Sequence, residues 1–234
     1  MSCASIRELV RMPLPDWFPG EERIRRMLAK HEPVYRWHRP RYAVQLLADL
    51  ALLLPQGTCR LLDVGGGSGL IGEAISTFSP GKTVTAIDVV DRFLPTVTIK
   101  RRTFDGKKIP FADLSFDCAL FSNVLHHVPS ELRSQLVSEA LRVTGGACVI
   151  VKDHVADSVL DRARLAWLDL VGNLPFRGVV QAEYLSMEDW HRLFVDTGCN
   201  AERLTGSPYR TGPGRVFFPN RLEVLFRLGL ARCG

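Results

Sequence analysis

Residues 59–73 read C-R-L-L-D-V-G-G-G-S-G-L-I-G-E, and the rest of the chain is organised around them. A mostly apolar run from Arg60 to Asp63 leads straight into glycines at positions 65, 66, 67 and 69. An apolar-periodic segment with Leu70, Ile71, Ala74 and Ile75 follows at once. The pattern predicts strand, tight turn and helix. Glycine in such a turn permits positive φ and lets the backbone approach a bound group that a Cβ would keep away. The free N–H groups of the following helix favour a polar or anionic ligand. Turns of this kind lie beyond the carboxyl ends of parallel strands, where open α/β sheets bind ligands.

A chain of 234 residues that is 46% hydrophobic can bury a substantial core within one large domain. No apolar run reaches the length of a membrane span: the longest, Ala43 to Leu54, is interrupted by Gln45 and Asp49. The first ten residues carry no signal-peptide core, which sets the expectation of a cytoplasmic protein, monomeric or homodimeric. Cysteines at 3, 59, 118, 148, 199 and 233 make no Cys-x-x-Cys and no Cys/His ligand spacing, so reduced buried thiols are expected and no metal site. The net charge of +5 comes from basic clusters at 23–30, 36–41 and 100–108, read mainly as solvated surface. Few aromatics interleave with them, so a nucleic-acid partner is not expected.

Outward from the glycine turn, strands and helices alternate. Three prolines, Pro13, Pro15 and Pro19, predict an irregular first twenty residues. Helices follow at 21–30 and 41–54, the second stopped by Pro55. Residues 1–56 read as a helical cap or lid and 57–234 as the core, with a substrate-side helical region expected within 155–200. Strands are predicted at 60–64, 83–87, 97–101, 117–121, 147–152, 201–205 and 222–228, and helices at about 70–78, 130–142, 158–170 and after Ser186. Ser186 and Asp189 have capping-box spacing. The alternation implies a parallel sheet covered by helices on both faces.

Two acids extend the site. Asp88 ends the second strand, and parallel pairing brings it to the same sheet edge as Asp63. An acid in that place accepts hydrogen bonds from the ribose hydroxyls of an adenosine. Asp105, ahead of Ile109, Pro110 and Phe111, can accept from an adenine amino group. Gly67, Gly69 and Gly72 also satisfy a dinucleotide fingerprint, which keeps an NAD(P)-dependent oxidoreductase in play. Against it, Asp63 would set a negative charge beside a pyrophosphate, whereas it suits a cationic sulfonium amino acid. No Gly-x-x-x-x-Gly-Lys-Ser/Thr and no Gly-x-Ser-x-Gly appears, so phosphoryl and acyl transfer are not expected.

On these residues the chain resembles the class I S-adenosylmethionine-dependent methyltransferases, in the small-molecule group related to the ubiquinone/menaquinone biosynthesis enzymes. L-L-D-V-G-G-G-S-G at 61–69 matches the first motif, Asp88 the ribose acid, and the segment from Asp105 to Cys118 the adenine-side acid and its flank. F-S-N-V-L-H-H-V at 121–128 matches the exit of the fourth strand, and the segment 141–151 more loosely matches the turn into the fifth. The resemblance implies a Rossmann-like sheet of seven strands, with the last antiparallel between the fifth and sixth. It also implies S-adenosyl-L-methionine as cofactor, held by Asp63, Gly65, Gly66, Gly67, Gly69, Asp88, Val89, Asp105, Gly106 and Asn123.

Methyl transfer from a sulfonium mainly requires alignment of the acceptor and exclusion of water, with a base where the acceptor has a high pKa. His154 is the first candidate for that base, since it follows the fifth strand beside Asp153, with His126 and His127 next. Tyr35, Trp37 and His38 precede the first sheet strand and can fold across the cleft toward a small-molecule acceptor. Asn123 is followed by Val-Leu-His, not the Pro-Pro-aromatic run of many nucleic-acid amino methylases, which places an RNA substrate as the alternative.

Overall fold

The structure, a computed structural model, describes residues 7–9, 11–173, 182–212 and 214–230. Cys3, Cys233 and residues 174–181 of the expected linker lie outside the described residues. An eight-stranded sheet has the order β1-β7-β8-β6-β5-β2-β3-β4. Its strands are β1 (Arg7–Glu8), β2 (Cys59–Val64), β3 (Lys82–Asp88), β4 (Lys100–Thr103), β5 (Cys118–Ser122), β6 (Val149–His154), β7 (Cys199–Thr205) and β8 (Glu223–Leu230). All neighbours pair in parallel except β8, which runs antiparallel to both β6 and β7. The seven expected strands are present, and the inserted antiparallel strand stands where the resemblance put it. The eighth, β1, corrects the expectation of an irregular start. Residues 7 and 8 pair beside β7, and Leu9 is fully buried.

Alternation along the strands sorts side chains to two cores. Leu61, Val84, Ala86, Leu120, Ile150 and Leu225 face α1 (Glu21–His31), α2 (Arg41–Leu53) and α3 (Leu70–Phe78). Leu62, Val64, Ile87, Phe121, Val151 and Phe226 face α4 (Ser130–Thr144) and α6 (Met187–Asp196). α5 (Val159–Asn173) joins a smaller cluster through Leu165, beside Tyr184 and Leu222. A one-turn α7 (Gly214–Phe217) lies in the connection between β7 and β8. Among the described residues no helix is long and apolar enough to cross a membrane.

Local chemistry explains the helix ends. α1 begins with Glu21 and Glu22 and ends with Lys30 and His31, both favourable to the helix dipole, and stops ahead of Pro33. Ser186 and Asp189 form the expected capping box of α6. Strand ends moved where periodicity carries no signal: the strand placed at 97–101 is β4 at Lys100–Thr103, and β6 runs on through Lys152 and Asp153 to His154. His154 therefore ends the strand instead of following it. The cysteines at 59, 118 and 148 are buried and free.

α3 is tied to the chain that follows β3 by one acid. Glu73, buried on α3, accepts from the Thr98 N–H (2.7 Å), the Thr98 hydroxyl (2.8 Å) and the Ile99 N–H (3.1 Å). Glu73→Ala leaves the buried Ile99 N–H unpaired and frees the Thr98 donors toward solvent, with an expected loss of roughly 1–3 kcal/mol. A urea unfolding midpoint that does not move would show the connection is held by other contacts.

Candidate active site

The glycine turn leaves β2 under two steric constraints. Gly65 has φ +73°, and a Cβ there would fall 2.6 Å from a methyl of Val124. Gly69 caps α3 in the left-handed conformation at φ +81°. At Gly67 the position is open, and a Cβ would meet nothing within 4 Å. Its backbone is thus bare toward whatever lies above the turn.

Beneath the turn sit the two acids. Asp63 has the same strand parity as Leu61, which turns it toward α3, and Asp88 shares the parity of Ala86. Both are only 2% exposed. Asp88 accepts from the Gly67 N–H (2.9 Å) and the Val90 N–H (3.1 Å), with the Arg92 guanidinium 3.3 Å away. Asp63 Oδ2 has no hydrogen-bond partner among the described residues. A Cβ at Gly66 or Gly72 would lie 3.2 or 3.3 Å from it, so both glycines keep room for the carboxylate. Burial, then the Asp88 charge, pushes Asp63 up to about 7.

Of the expected cofactor residues, Val89 and Asp105 lie in the open and Gly106 is half-buried. Val89 is exposed, and a Cβ on Gly106 would approach its methyl at 3.0 Å. Asp105 is exposed as well, and the N–H groups of Lys108 and Lys107 hold its carboxyl below the usual range. On the other side of the turn a cavity of about 330 Å³ is lined by Tyr35, Tyr42 and Ser68. Trp37 is 85% exposed and His38 is exposed, and neither lines that cavity. Tyr35 alone of the three packs against the core.

The ends of β5, β6 and β8 hold a polar network that the sequence did not announce. Parity turns Lys152, His154, Glu223 and Ser122 toward α2 and sends Asp153 to the α4 side. Lys152, fully buried, donates to Glu223 (2.6 Å) and to the Asn123 side-chain oxygen (3.2 Å), and its ammonium lies over the Tyr209 ring at 4.6 Å. Burial opposes the Lys152 charge, but Glu223 outweighs it and raises the pKa. Tyr42 pairs with Ser122 at 2.8 Å. Glu223 also faces Arg210 (2.5 Å) and His154 Nδ1 (3.2 Å, misaligned for a hydrogen bond).

The Asp153 carboxylate does not orient the His154 ring, as adjacency in sequence suggested. It takes the His154 backbone N–H (2.7 Å), the Leu125 N–H (2.9 Å) and the ring Nδ1 of His126 (2.5 Å). Across the ring, His126 Nε2 lies 3.3 Å from Asp169 on α5, whose carboxylate also accepts from the Tyr184 hydroxyl. Burial works against the His126 imidazolium, but Asp153 and Asp169 prevail and raise its pKa to about 9. His127 stacks beside it, ring centroids 4.0 Å apart. Arg133 donates to the carbonyls of Leu125 (3.0 Å) and Val128 (2.9 Å), fixing this turn. Of the residues missed from sequence, Lys152 left a trace, as a charge directly after the apolar run 147–151. Glu223 and Asp169 left none, because only register and helix packing bring them here.

Breaking the buried pair from one side should be costly: Lys152→Met is expected to destabilise by about 3 kcal/mol. Glu223→Gln should cost less in that background than in the wild type, since the pair it breaks is already gone. Strictly additive effects in urea unfolding would mean the two side chains do not interact.

Residues 62–150 match the family model described as a methyltransferase domain. An uncharacterized methyltransferase from Mycobacterium tuberculosis is 40% identical over 97 residues, which are 38% of this chain and 37% of that protein. The chain thus matches little more than a third of the length of such curated relatives. Among solved structures, a Thermotoga maritima protein described as an S-adenosylmethionine-dependent methyltransferase, possible histamine N-methyltransferase, superposes with TM-score 0.58 at 18% identity. That superposition covers 91% of this chain and all of that one. The [4+2]-cyclase SpnF superposes with TM-score 0.52 at 17% identity over 80% of each chain, so the architecture alone does not dictate the reaction. The fold is the Rossmann-like one these proteins share, and residues 62–150 are the part of the chain that matches the methyltransferase-domain family.

Proposed function

We propose that the chain is an S-adenosyl-L-methionine-dependent methyltransferase acting on a small-molecule acceptor, in the group its sequence resembles. The observation that carries this reading is the buried acid pair around the glycine turn. Asp88 stands where ribose hydroxyls would be accepted, and Asp63 keeps an unpartnered carboxylate oxygen beneath the same turn. A ligand with a ribose and a cationic amino-acid end suits both acids; a pyrophosphate would be repelled by Asp63, which disfavours a nicotinamide dinucleotide. The open side of Gly67 leaves the backbone accessible to such a ligand. When bound, the cofactor supplies a methyl group already activated on a sulfonium. The chain's part is then to bind, align and exclude water. Val89, Gly106 and Asp105 border the adenine end, and Asn123, held by Lys152, shapes the methionine end.

For the acceptor, Tyr35 and Tyr42 at the cavity beside Ser68 are the binding surface we favour. His154 is the proton acceptor we assign: Glu223 lies 3.2 Å from its Nδ1, and the Trp190 indole N–H fixes its backbone carbonyl (3.0 Å). S-adenosylhomocysteine release can be screened over phenol, thiol and amine acceptors. With an acceptor so found, His154→Ala should lower kcat about 10²–10⁴-fold and leave S-adenosylhomocysteine affinity intact. Full turnover across pH 6–9 would take His154 out of the reaction.

Calorimetric titration tests the cofactor. S-adenosylhomocysteine should bind and NAD should not, and Asp88→Ala should weaken binding by roughly 1–3 kcal/mol. Asp63 adds a signature of its own. Its folded pKa of about 7 stands well above the ordinary aspartate value of about 3.8, so the ligand-free protein loses stability as pH rises between them. Asp63→Asn should therefore raise the melting temperature above pH 7, by the equivalent of at most about 4 kcal/mol, while weakening S-adenosylhomocysteine. Tight NAD binding, or an Asp63→Asn variant that binds as well as wild type, would overturn the reading.

A further inference from the structure

We propose that His126, His127 and Asp169 form a binding site for a divalent first-row transition metal of the zinc class. One ligand atom from each of the three lies within 4.8 Å of the others. The His126 ring is fully buried, and its Nε2 has no hydrogen-bond partner among the described residues while lying 3.3 Å from Asp169 Oδ2. Ligands bound to zinc at about 2.0–2.1 Å in a tetrahedral arrangement stand roughly 3.4 Å apart, so this pair is already at coordination spacing. His127 sits at the more open edge of the site and offers the third ligand atom, within 4.8 Å of the other two.

The surroundings are those of a metal ligand. Asp153 holds a proton at Nδ1, so that the proton given up for a metal is the one at Nε2. A carboxylate behind a ligating histidine serves this purpose in zinc proteins. Asp153 is itself anchored by the N–H groups of Leu125 and His154, and the Tyr184 hydroxyl holds Asp169. Two imidazoles and one carboxylate favour zinc, cobalt or nickel over magnesium and calcium, which take oxygen ligands. Coordination requires neutral His126, so the metal takes the place of a proton at Nε2. Three protein ligands leave a fourth position for water or an acceptor heteroatom. The spacing escaped the sequence because the carboxylate arrives from α5, far along the chain from the two histidines.

The test does not require cofactor binding. Untagged full chain, stripped with a chelator, is titrated with Zn²⁺ by calorimetry and with Co²⁺ by visible absorption. One ion per chain is expected, with the d–d bands of four- or five-coordinate cobalt. Asp169→Asn and His127→Ala should each weaken Zn²⁺ at least about 10-fold, and Asp153→Asn about 10–100-fold. Zn²⁺ should raise the melting temperature of the wild type and not of His127→Ala, whose metal-free melting curve reports that it still folds. Absence of saturable binding, or binding that survives both His127→Ala and Asp169→Asn, would overturn the proposal. In that case His126 is an imidazolium shared by two carboxylates.

Discussion

Two negative charges held side by side under a backbone turn set the terms for this molecule. Asp63 and Asp88 leave adjacent parallel strands with the same parity, so the pleat presses both toward α3. Asp88 is relieved by the N–H groups of Gly67 and Val90 and by Arg92. Asp63 has no such relief at Oδ2, and it answers by holding its proton nearly to neutrality. A methyl group at Gly66 or Gly72 would crowd the unrelieved oxygen, and would meet Ala86 at 2.9 Å or Ile99 at 2.7 Å more closely still. A site arranged this way is unfavourable when empty and favourable when a cation arrives, which is how stability is exchanged for affinity.

A second buried charge lies on the same face of the sheet. Lys152 has lost water entirely and regains its interactions from Glu223, Asn123 and the faces of Tyr209 and Tyr42. Those partners come from β8, the β5 exit, the β7–β8 connection and α2, so one ammonium couples four separate parts of the chain. α2 is further fastened by Asp49, which accepts from the Ser207 N–H (2.7 Å) and the Tyr209 hydroxyl (2.9 Å). The amino-terminal helices are thereby integral to one face of the core, packed against the sheet through Ile24, Leu28, Leu46 and Leu50.

What could be read in the sequence divides along the range of the interactions. The glycine turn, the strands 60–64 and 83–87 and the acids Asp63 and Asp88 were legible because each depends on neighbours a few residues away. The alternation of apolar runs likewise indicated a covered parallel sheet. Harder to read was which carboxylate meets which histidine. Asp153 and His154 are adjacent in the chain, yet pleating sends them to opposite faces, and the acid orients His126 instead. Trp37 and His38, expected over the cleft, stand in solvent because the turn at 33–36 carries Tyr35 inward and turns its neighbours out. Arg92, Asp169 and Glu223 belong to tertiary geometry alone.

The sheet finishes differently at its two sides. At β4 every residue of Lys100–Thr103 is exposed, and three successive cations line the last row of backbone groups. At the far side, among the described residues, β1 adds two residues beside Leu204 and Thr205 of β7 before the chain turns in at Leu9. A bare strand edge invites another strand to continue the ladder, and charge discourages it. Copies of this chain meeting at β4 would have to set like charges against each other. Association between copies is thus steered away from extending the sheet through that side.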